Sequence, residues 1–354
     1  MPSVGHRVKG RHEVKGSAWS EAARKMGGGM KLFINGFGRI GRSVLRAWMG
    51  APDLWPDVEI VGINDIAAAE MCAYLFEYDS VFGPWRGSVV LGAGCLTVNG
   101  RRLPLHRVAD ISGLPLAGVD VVLECTGRAD SRAVAARGLV AGAARVLVSG
   151  PSAGADVTVV LGANEAVLAD QRIVSNASCT TNALAPLVRL LDQGWGVVTG
   201  SMTTIHCYTG AQPTVDTPAG DFARSRAAAL SMVPTTTSAQ RLLDIVLPHL
   251  AGRIEGSAIR VPTASVSGVD LAVMLERPVR AAEVNAAFWL AGGVIGVTDQ
   301  ALVSTDLRGR HESIVMACPQ TRVTAGGMLR VFGWYDNEWG FSNRMLDVAR
   351  LMGP

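Results

Sequence analysis

From Lys31 the chain alternates short, continuous apolar runs with stretches whose apolar residues recur at helical spacing. KLFING precedes RIGRSVLRAWMG, VEIVGIND precedes AAAEMCAYLFEYD, VDVVLECTG precedes SRAVAARGLVAGA, and RVLVSGP and VTVVLGAN follow. This alternation constrains the fold more than any other feature. A strand that is apolar on both sides needs cover on both faces, and helices between successive strands supply it. The pattern therefore predicts a parallel sheet layered between helices. HRVADISGLPLAGVD reads as a turn-rich connection within it. After Cys179 the runs lengthen and alternate, in GVVTGSMTTIHCYT, GSAIRVPTASVSGVDLAVMLERPV and MLRVFGWYD. These predict a mostly antiparallel sheet with helices on one face. NRMLDVARLM closes the chain as a helix.

The first strand runs into INGFGRIG, with Gly36, Gly38 and Gly41 in G-x-G-x-x-G spacing. Glycine is abundant here, so the pattern counts because it follows a strand and opens a helix. Backbone N–H groups at such a helix start face a pyrophosphate. Gly36 permits the tight turn, Gly38 the approach of phosphates and Gly41 close helix–strand packing. Asp65 ends the second strand, 24 residues past Gly41. An acid there accepts from the ribose hydroxyls and repels a 2′-phosphate, which favours NAD over NADP. Thr126-Gly127 and Ser149-Gly150 end two further strands, on the edge where this architecture binds ligands.

The expected fold class is therefore α/β, a Rossmann-type doubly wound parallel sheet, plus an α+β catalytic domain with a mostly antiparallel sheet. At 354 residues, two domains are the default. Residues 30–178 are expected to form the NAD-binding domain and residues 179–337 the catalytic domain. Residues 1–29, basic, apolar-poor and ending in three glycines, read as a disordered extension. The net charge of +3 is too small to argue for nucleic acid or an anionic membrane as partner. No apolar stretch is long enough for a membrane span. Six scattered cysteines lack metal-ligand spacing, so no metal site is expected, and reduced thiols in the cytosol are the better reading.

Among those cysteines, Cys179 stands apart in SNASCTTNALAP, between a strand-like and a helix-like run. A thiol at a helix N-terminus feels the positive end of the dipole, so its pKa is expected to fall. Ser178 and Thr180 add hydroxyl donors. Cys72, Cys95 and Cys125 lack this setting and are expected to be inert. A nucleophilic thiol needs a base, and His206, near the end of a strand in TTIHCYT, is the best candidate. Cys207, its neighbour, is expected to point to the other face of the strand and serve packing. Downstream, Thr209, Arg224, Arg226, PTTTS (Pro234 to Ser238) and Arg260 offer hydroxyl and guanidinium donors suited to phosphate.

Together these stretches resemble the phosphorylating glyceraldehyde-3-phosphate dehydrogenase family: INGFGRIGR, IND, YDSVFG, ASCTTN, TTIHCYTGAQ, RAAALSMVPTTTS, RVPT and WYDNEWGFSNR, in family order from Met30 to the end. The resemblance implies Cys179 as nucleophile and His206 as base. It implies NAD contacts from Gly36, Gly38, Arg39, Ile40, Asp65, Thr126, Ser149 and Asn337. It implies two anion sites, for substrate phosphate and inorganic phosphate, shaped by Ser178, Thr180, Thr209, Arg224, Thr237, Ser238 and Arg260. A C-terminal helix at 338–354 that returns to complete the NAD-binding domain is implied as well, as is a cytoplasmic homotetramer of glycolysis and glucose metabolism, with a loop around Tyr208 to Arg226 at a subunit interface. The chain departs from the family pattern at Ala211 (usually Asp), Ser238 (usually Gly), Ala183 (often Cys) and Thr217 (often Leu in NAD-using members). IRVPTASVSGVDLAV and QTRV also resemble the erythrose-4-phosphate dehydrogenase branch, in which water rather than phosphate attacks the thioester. A thiol hydrolase and a non-catalytic binding protein that keeps the fold are the rivals from other classes. The cofactor signature counts against the first, and the Cys179 and His206 pair against the second.

Overall fold

A computed structural model describes residues 29–353. The expected extension, but for Gly29, lies outside the described residues. Two sheets organise the chain. The first holds β1 (Met30–Asn35), β2 (Val58–Asn64), β3 (Val89–Gly92), β4 (Cys95–Val98), β5 (Arg101–His106), β6 (Val121–Glu124), β7 (Arg145–Val148), β8 (Val157–Thr158) and β9 (Ile173–Ser175). Their spatial order is β3-β4-β5-β2-β1-β6-β7-β9-β8. From β5 to β8 every pair is parallel, while β3 and β4 add an antiparallel edge. The chain reverses direction across the sheet at β1, which lies between β2 and β6. That is the switch point at which doubly wound sheets open a ligand crevice.

Around this sheet pack α1 (Arg39–Gly50), α2 (Ala69–Glu77) and two short helices, α3 (Arg132–Ala135) and α4 (Arg137–Val140). SRAVAARGLVAGA, read as one helix, breaks between these two at Ala136. VTVVLGAN keeps only two residues in a strand.

The second sheet holds β10 (Val197–Cys207), β11 (Val233–Thr235), β12 (Ile254–Val261), β13 (Ser267–Leu275), β14 (Ile295–Thr298), β15 (Ile314–Ala317), β16 (Arg322–Val323) and β17 (Leu329–Tyr335). Its path runs β11-β12-β10-β13-β17-β15-β14, with β16 beside β17. Most pairs are antiparallel, but β10–β12 and β14–β15 are parallel. The parallel register sets His206 of β10 opposite Arg260 of β12. The helices on this sheet are α5 (Cys179–Trp195), α6 (Ala239–Val246) and α7 (Ala281–Ala291). The last helix, α8 (Trp339–Leu351), returns to the first sheet and buries Phe341, Met345 and Leu346 in its core. Each sheet carries its own apolar core, and Cys179 packs against both.

Candidate active site

β1 ends at Asn35, the chain turns through Gly36 to Gly38, and α1 begins. Gly36 has φ +93°, and a Cβ there would sit 2.6 Å from the Thr126 backbone nitrogen. A Cβ on Gly41 would lie 2.1 Å from the Gly36 carbonyl oxygen, so α1 can approach β1 only with glycine at that position. Nothing lies within 4 Å of the Cβ position at Gly38, which leaves the turn open to a ligand. Asp65 accepts from the Phe37 N–H at 2.6 Å and the Ala67 N–H at 2.9 Å, bracing this turn. Gly36, Gly38, Asp65 and Thr126 line one cavity of about 310 Å³ at the switch point. An open turn, N–H groups at a helix start and a carboxylate in one cavity fit a dinucleotide.

Four of the expected contacts, Arg39, Ile40, Ser149 and Asn337, sit outside that cavity in different roles. The Arg39 guanidinium is taken up by Asp79 and Glu338, which leaves its N–H at the helix start for a ligand. Ile40 packs on the first core, and the Ser149 N–H donates to the Glu124 carbonyl at 3.0 Å. Sequence reasoning missed Glu124. It is buried at the end of β6 and accepts from Asn35 and from the Thr126 N–H, the latter at 3.0 Å, while Asn64 donates to Asn35 at 2.8 Å. These bonds pin the ends of β1, β2 and β6. The signal was a carboxylate inside the apolar run VDVVLECTG.

Between β9 and α5, Asn176 and Ala177 are fully buried, and Ala177 has φ +54°. A side chain held in the left-handed region is strained, and such strain collects at functional turns. The Ser178 hydroxyl accepts from the Thr181 N–H at 3.1 Å and caps α5. Cys179 is the first residue of that helix, half-buried, and its Sγ lies 3.6 Å from His206 Nε2. The fall in thiol pKa expected from the helix start is not what this pocket produces. Burial pushes the Cys179 thiol above its ordinary range, against the pull of the Arg260 guanidinium and the bonds from Thr180. Desolvation outweighs the dipole because the sulfur sits where two cores meet. Burial, and then Arg260, lower His206 to about 4. Both shifts favour the neutral form of each partner.

His206 Nδ1 lies 2.7 Å from the Cys207 carbonyl oxygen and 2.8 Å from an Arg260 guanidinium nitrogen. Tyr335, also missed from sequence although it stands in WYDNEWG, sets its ring edge-on to the imidazole, with centroids 6.0 Å apart. Its hydroxyl bonds Thr180 at 2.9 Å and Thr204 at 2.8 Å, tying the start of α5 to β10 and β17. Cys207 is not mere packing. Its thiol donates to Asn337 Oδ1 at 3.1 Å, and Ser267 approaches the same oxygen at 3.3 Å. With Oδ1 taken, the Asn337 amide nitrogen is left as the donor.

The anion residues are partly assembled. Arg224 donates to Thr235 at 2.7 Å and to Thr236 at 3.3 Å. Thr237 accepts from the Ala239 N–H at 3.1 Å, at the start of α6, and Ser238 is that helix's N-cap residue without capping it through its side chain. Thr209 accepts through its carbonyl from Gln212. Ser178 and Thr180 spend their hydroxyls on the helix cap and on Tyr335 rather than on an open pocket. Arg260 has no carboxylate partner within salt-bridge distance among the described residues. Of the other thiols, burial pushes Cys72 and Cys318 up to about 11, and Cys125 and Cys207 up to about 12. No cluster able to hold a metal occurs among the described residues, and no helix there is long and apolar enough to cross a membrane.

Two family models match separate parts of the chain. Residues 30–132 match "Glyceraldehyde 3-phosphate dehydrogenase, NAD binding domain", and residues 178–337 match "Glyceraldehyde 3-phosphate dehydrogenase, C-terminal domain". Glyceraldehyde-3-phosphate dehydrogenase of Xanthobacter flavus is 47% identical over 332 residues, covering 92% of this chain and 98% of that protein. The chain belongs to the glyceraldehyde-3-phosphate dehydrogenase family. Glyceraldehyde-3-phosphate dehydrogenase of Cereibacter sphaeroides is also 47% identical, over 330 residues covering 92% of this chain and 98% of that protein. Glyceraldehyde-3-phosphate dehydrogenase 1 of Bacillus cereus is 43% identical over 331 residues, covering 91% of this chain and 98% of that protein. As a member of this family the chain takes NAD as its cofactor, and the lining of the cavity at the β1–β6 switch point, apart from Val134 and Arg137, lies within the matched NAD-binding segment.

Proposed function

We propose that the protein is an NAD-dependent, phosphorylating aldehyde dehydrogenase that converts glyceraldehyde 3-phosphate and inorganic phosphate to 1,3-bisphosphoglycerate through a thioester on Cys179. The observation that carries this reading is the Cys179 sulfur at the start of α5, 3.6 Å from His206 Nε2 and at the meeting point of both cores. Cys179 attacks the aldehyde carbon and forms a hemithioacetal. His206 Nε2 takes the hydroxyl proton, which raises electron density on the carbon that loses hydride. Bound NAD supplies the hydride acceptor. The acyl group is left on Sγ as a thioester, which conserves the energy of oxidation until phosphate attacks. Gly36, Gly38, Asp65, Thr126 and the N–H groups of Arg39 and Ile40 would hold the dinucleotide, and Asn337 with Ser149 its reactive end. Arg224, Thr237, Ser238, Thr209 and Arg260 would hold the two phosphates, with Ser178 and Thr180 supporting them from the helix start. Ala211 leaves the substrate-phosphate region without the carboxylate many relatives have there, so Arg260 carries more of that site.

Residues 30–178 with α8 form the cofactor unit in this reading, and residues 179–337 the catalytic unit. The burial of Phe341 and Met345 in the first core supports the return of the last helix. We also take the protein to act in the cytoplasm as a homotetramer. The test is NADH formation from glyceraldehyde 3-phosphate with and without inorganic phosphate, against erythrose 4-phosphate in parallel. Phosphate-dependent turnover of the triose is expected. Turnover indifferent to phosphate, with erythrose 4-phosphate the better substrate, would transfer the protein to the hydrolytic branch.

A further inference from the structure

The turn between β9 and α5 carries the sulfur, and it is held in an unfavourable shape. Ala177, fully buried, has φ +54°. Residues with a side chain avoid that region because Cβ crowds the following carbonyl oxygen, so the surroundings must hold the residue there. Asn182, one turn into α5, does so from a single point. Its Nδ2 donates to the Asn176 carbonyl at 2.7 Å and to the Ser178 carbonyl at 3.0 Å. These two carbonyls flank Ala177, so one carboxamide bridges the strained residue from both sides. Two acceptors at these distances also fix which end of the amide is nitrogen. The other polar atoms here gain nothing: Asn182 Oδ1 and both side-chain amide atoms of Asn176 are buried without a hydrogen-bond partner among the described residues. A buried polar atom left unpaired costs stability. An asparagine is therefore a poor choice for packing at position 182, and its worth lies in the two bonds it makes.

The bridge bears on chemistry through the peptide between Ser178 and Cys179. That peptide is planar, with its C=O and N–H pointing in opposite directions. Its carbonyl is drawn toward α5 by Asn182 Nδ2 and by the Asn182 backbone N–H, the latter at 2.9 Å. Its N–H is that of Cys179, the first residue of α5, and so points out of the helix start, where no residue of the helix accepts it. It is the backbone donor nearest in the chain to the Cys179 sulfur. Negative charge that arises at the sulfur, or on the oxygen of the carbon it attacks, develops in front of this donor.

We propose that Asn182 is a positioning residue for Cys179: its carboxamide staples the carbonyls on either side of Ala177, holds that residue in the left-handed conformation and so aims the Cys179 N–H and sulfur at the reacting carbon. Tyr335 ties the start of α5 to the neighbouring strands from outside, whereas Asn182 fixes the turn from within. The inference rests on the proposed function for the reaction that Cys179 performs, not for the geometry of the turn.

The experiment is a double-mutant cycle in the full chain, with Asn182→Ala, Ala177→Gly and the two combined. Glycine adopts a positive φ readily, so it keeps the shape of the turn without the staple. Asn182→Ala should lower kcat for glyceraldehyde 3-phosphate about 10²-fold, the effect of a misplacement of roughly 1 Å, with KM within about twofold of the wild type. The rate at which iodoacetamide modifies Cys179, followed by mass spectrometry, should fall about tenfold. Adding Ala177→Gly should return both quantities to within about threefold of the wild type, and Ala177→Gly alone should move neither by more than about threefold. Equal losses in Asn182→Ala and the double variant overturn the proposal, because a side chain that only fills the core is not rescued by glycine. Wild-type kcat and alkylation in Asn182→Ala overturn it as well. If Asn182→Ala does not fold, Asn182→Ser takes its place in the cycle under the same rescue criterion, since a serine hydroxyl still reaches the Ser178 carbonyl four residues back. A wild type that makes no NADH from glyceraldehyde 3-phosphate would sink the proposed function and leave alkylation, with its rescue by glycine, to decide this inference.

Discussion

At the scale of single residues, burial shifts Cys179 and His206 each toward its neutral form, and this gives two pH effects with defined signs. Because burial raises the thiol, alkylation of the ligand-free protein should keep climbing beyond the pH at which a solvent-exposed thiol has levelled off. A rate profile with iodoacetamide checks this, and a plateau near neutrality would contradict it. His206 is held at about 4 against an ordinary 6.5, so between those values the unfolded chain binds more protons there than the folded one. Stability from this site is complete above 6.5, falls as the pH drops toward 4, and changes no further below that. The loss is on the order of 3 kcal/mol. His206→Asn should therefore flatten that part of the Tm–pH curve. The same variant should keep its fold while turnover drops about 10²- to 10⁴-fold, the usual contribution of a placed base. Cys207 makes a further case, because its thiol holds Asn337 Oδ1 at 3.1 Å. Cys207→Val should raise the KM for NAD about tenfold, one hydrogen bond's worth of orientation, while Cys207→Ser restores it.

Among the elements, the decisive device is the strand–turn–helix from β9 into α5, clamped by Tyr335. That phenol joins Thr180 and Thr204 inside the protein, so Tyr335→Phe leaves two buried hydroxyls short of a partner. A stability loss of about 1–3 kcal/mol is expected, measured by denaturant unfolding. Turnover should fall as well, because the start of α5 is no longer tied to the strand that carries His206. The device was half legible in the sequence. Apolar runs and glycine spacing gave β1, α1, β2 and the start of α5, because burial on both faces leaves a strong pattern in residues 31–64 and 173–191. The edge strands β3 to β5 were not read. They are short and half-exposed, so alternation is all they offer, although Asn99-Gly100, with φ of +48° and +80°, carries the hairpin signal of the β4–β5 turn. Tyr335 and Glu124 were missed for another reason: their partners lie far away in sequence, and only the fold brings them together. The thiol pKa was misjudged because dipole and neighbours can be read from sequence, whereas the depth of burial cannot.

For the whole molecule, the loop from Tyr208 to Met232 would link the proposed anion site to the proposed assembly. It leaves Phe222 96% exposed and Leu230 84% exposed, with Val215 and Met232 also open. The same loop carries Arg224, bonded to Thr235 at 2.7 Å, so whatever covers these side chains would also steady this proposed phosphate ligand. In the proposed homotetramer the cover is another subunit. Burying one phenylalanine is worth about 2 kcal/mol, a factor of about 30 in association. Phe222→Asp removes that gain and adds a charge to be desolvated, so light scattering should show the assembly falling to smaller species at micromolar concentration. Cys179 is placed by α5 and Tyr335 rather than by the loop, so its alkylation rate should stay near the wild-type value. The KM for inorganic phosphate should rise as Arg224 loses its support. An unchanged mass would remove the loop from the interface, and a mass change with phosphate affinity intact would separate assembly from the anion site.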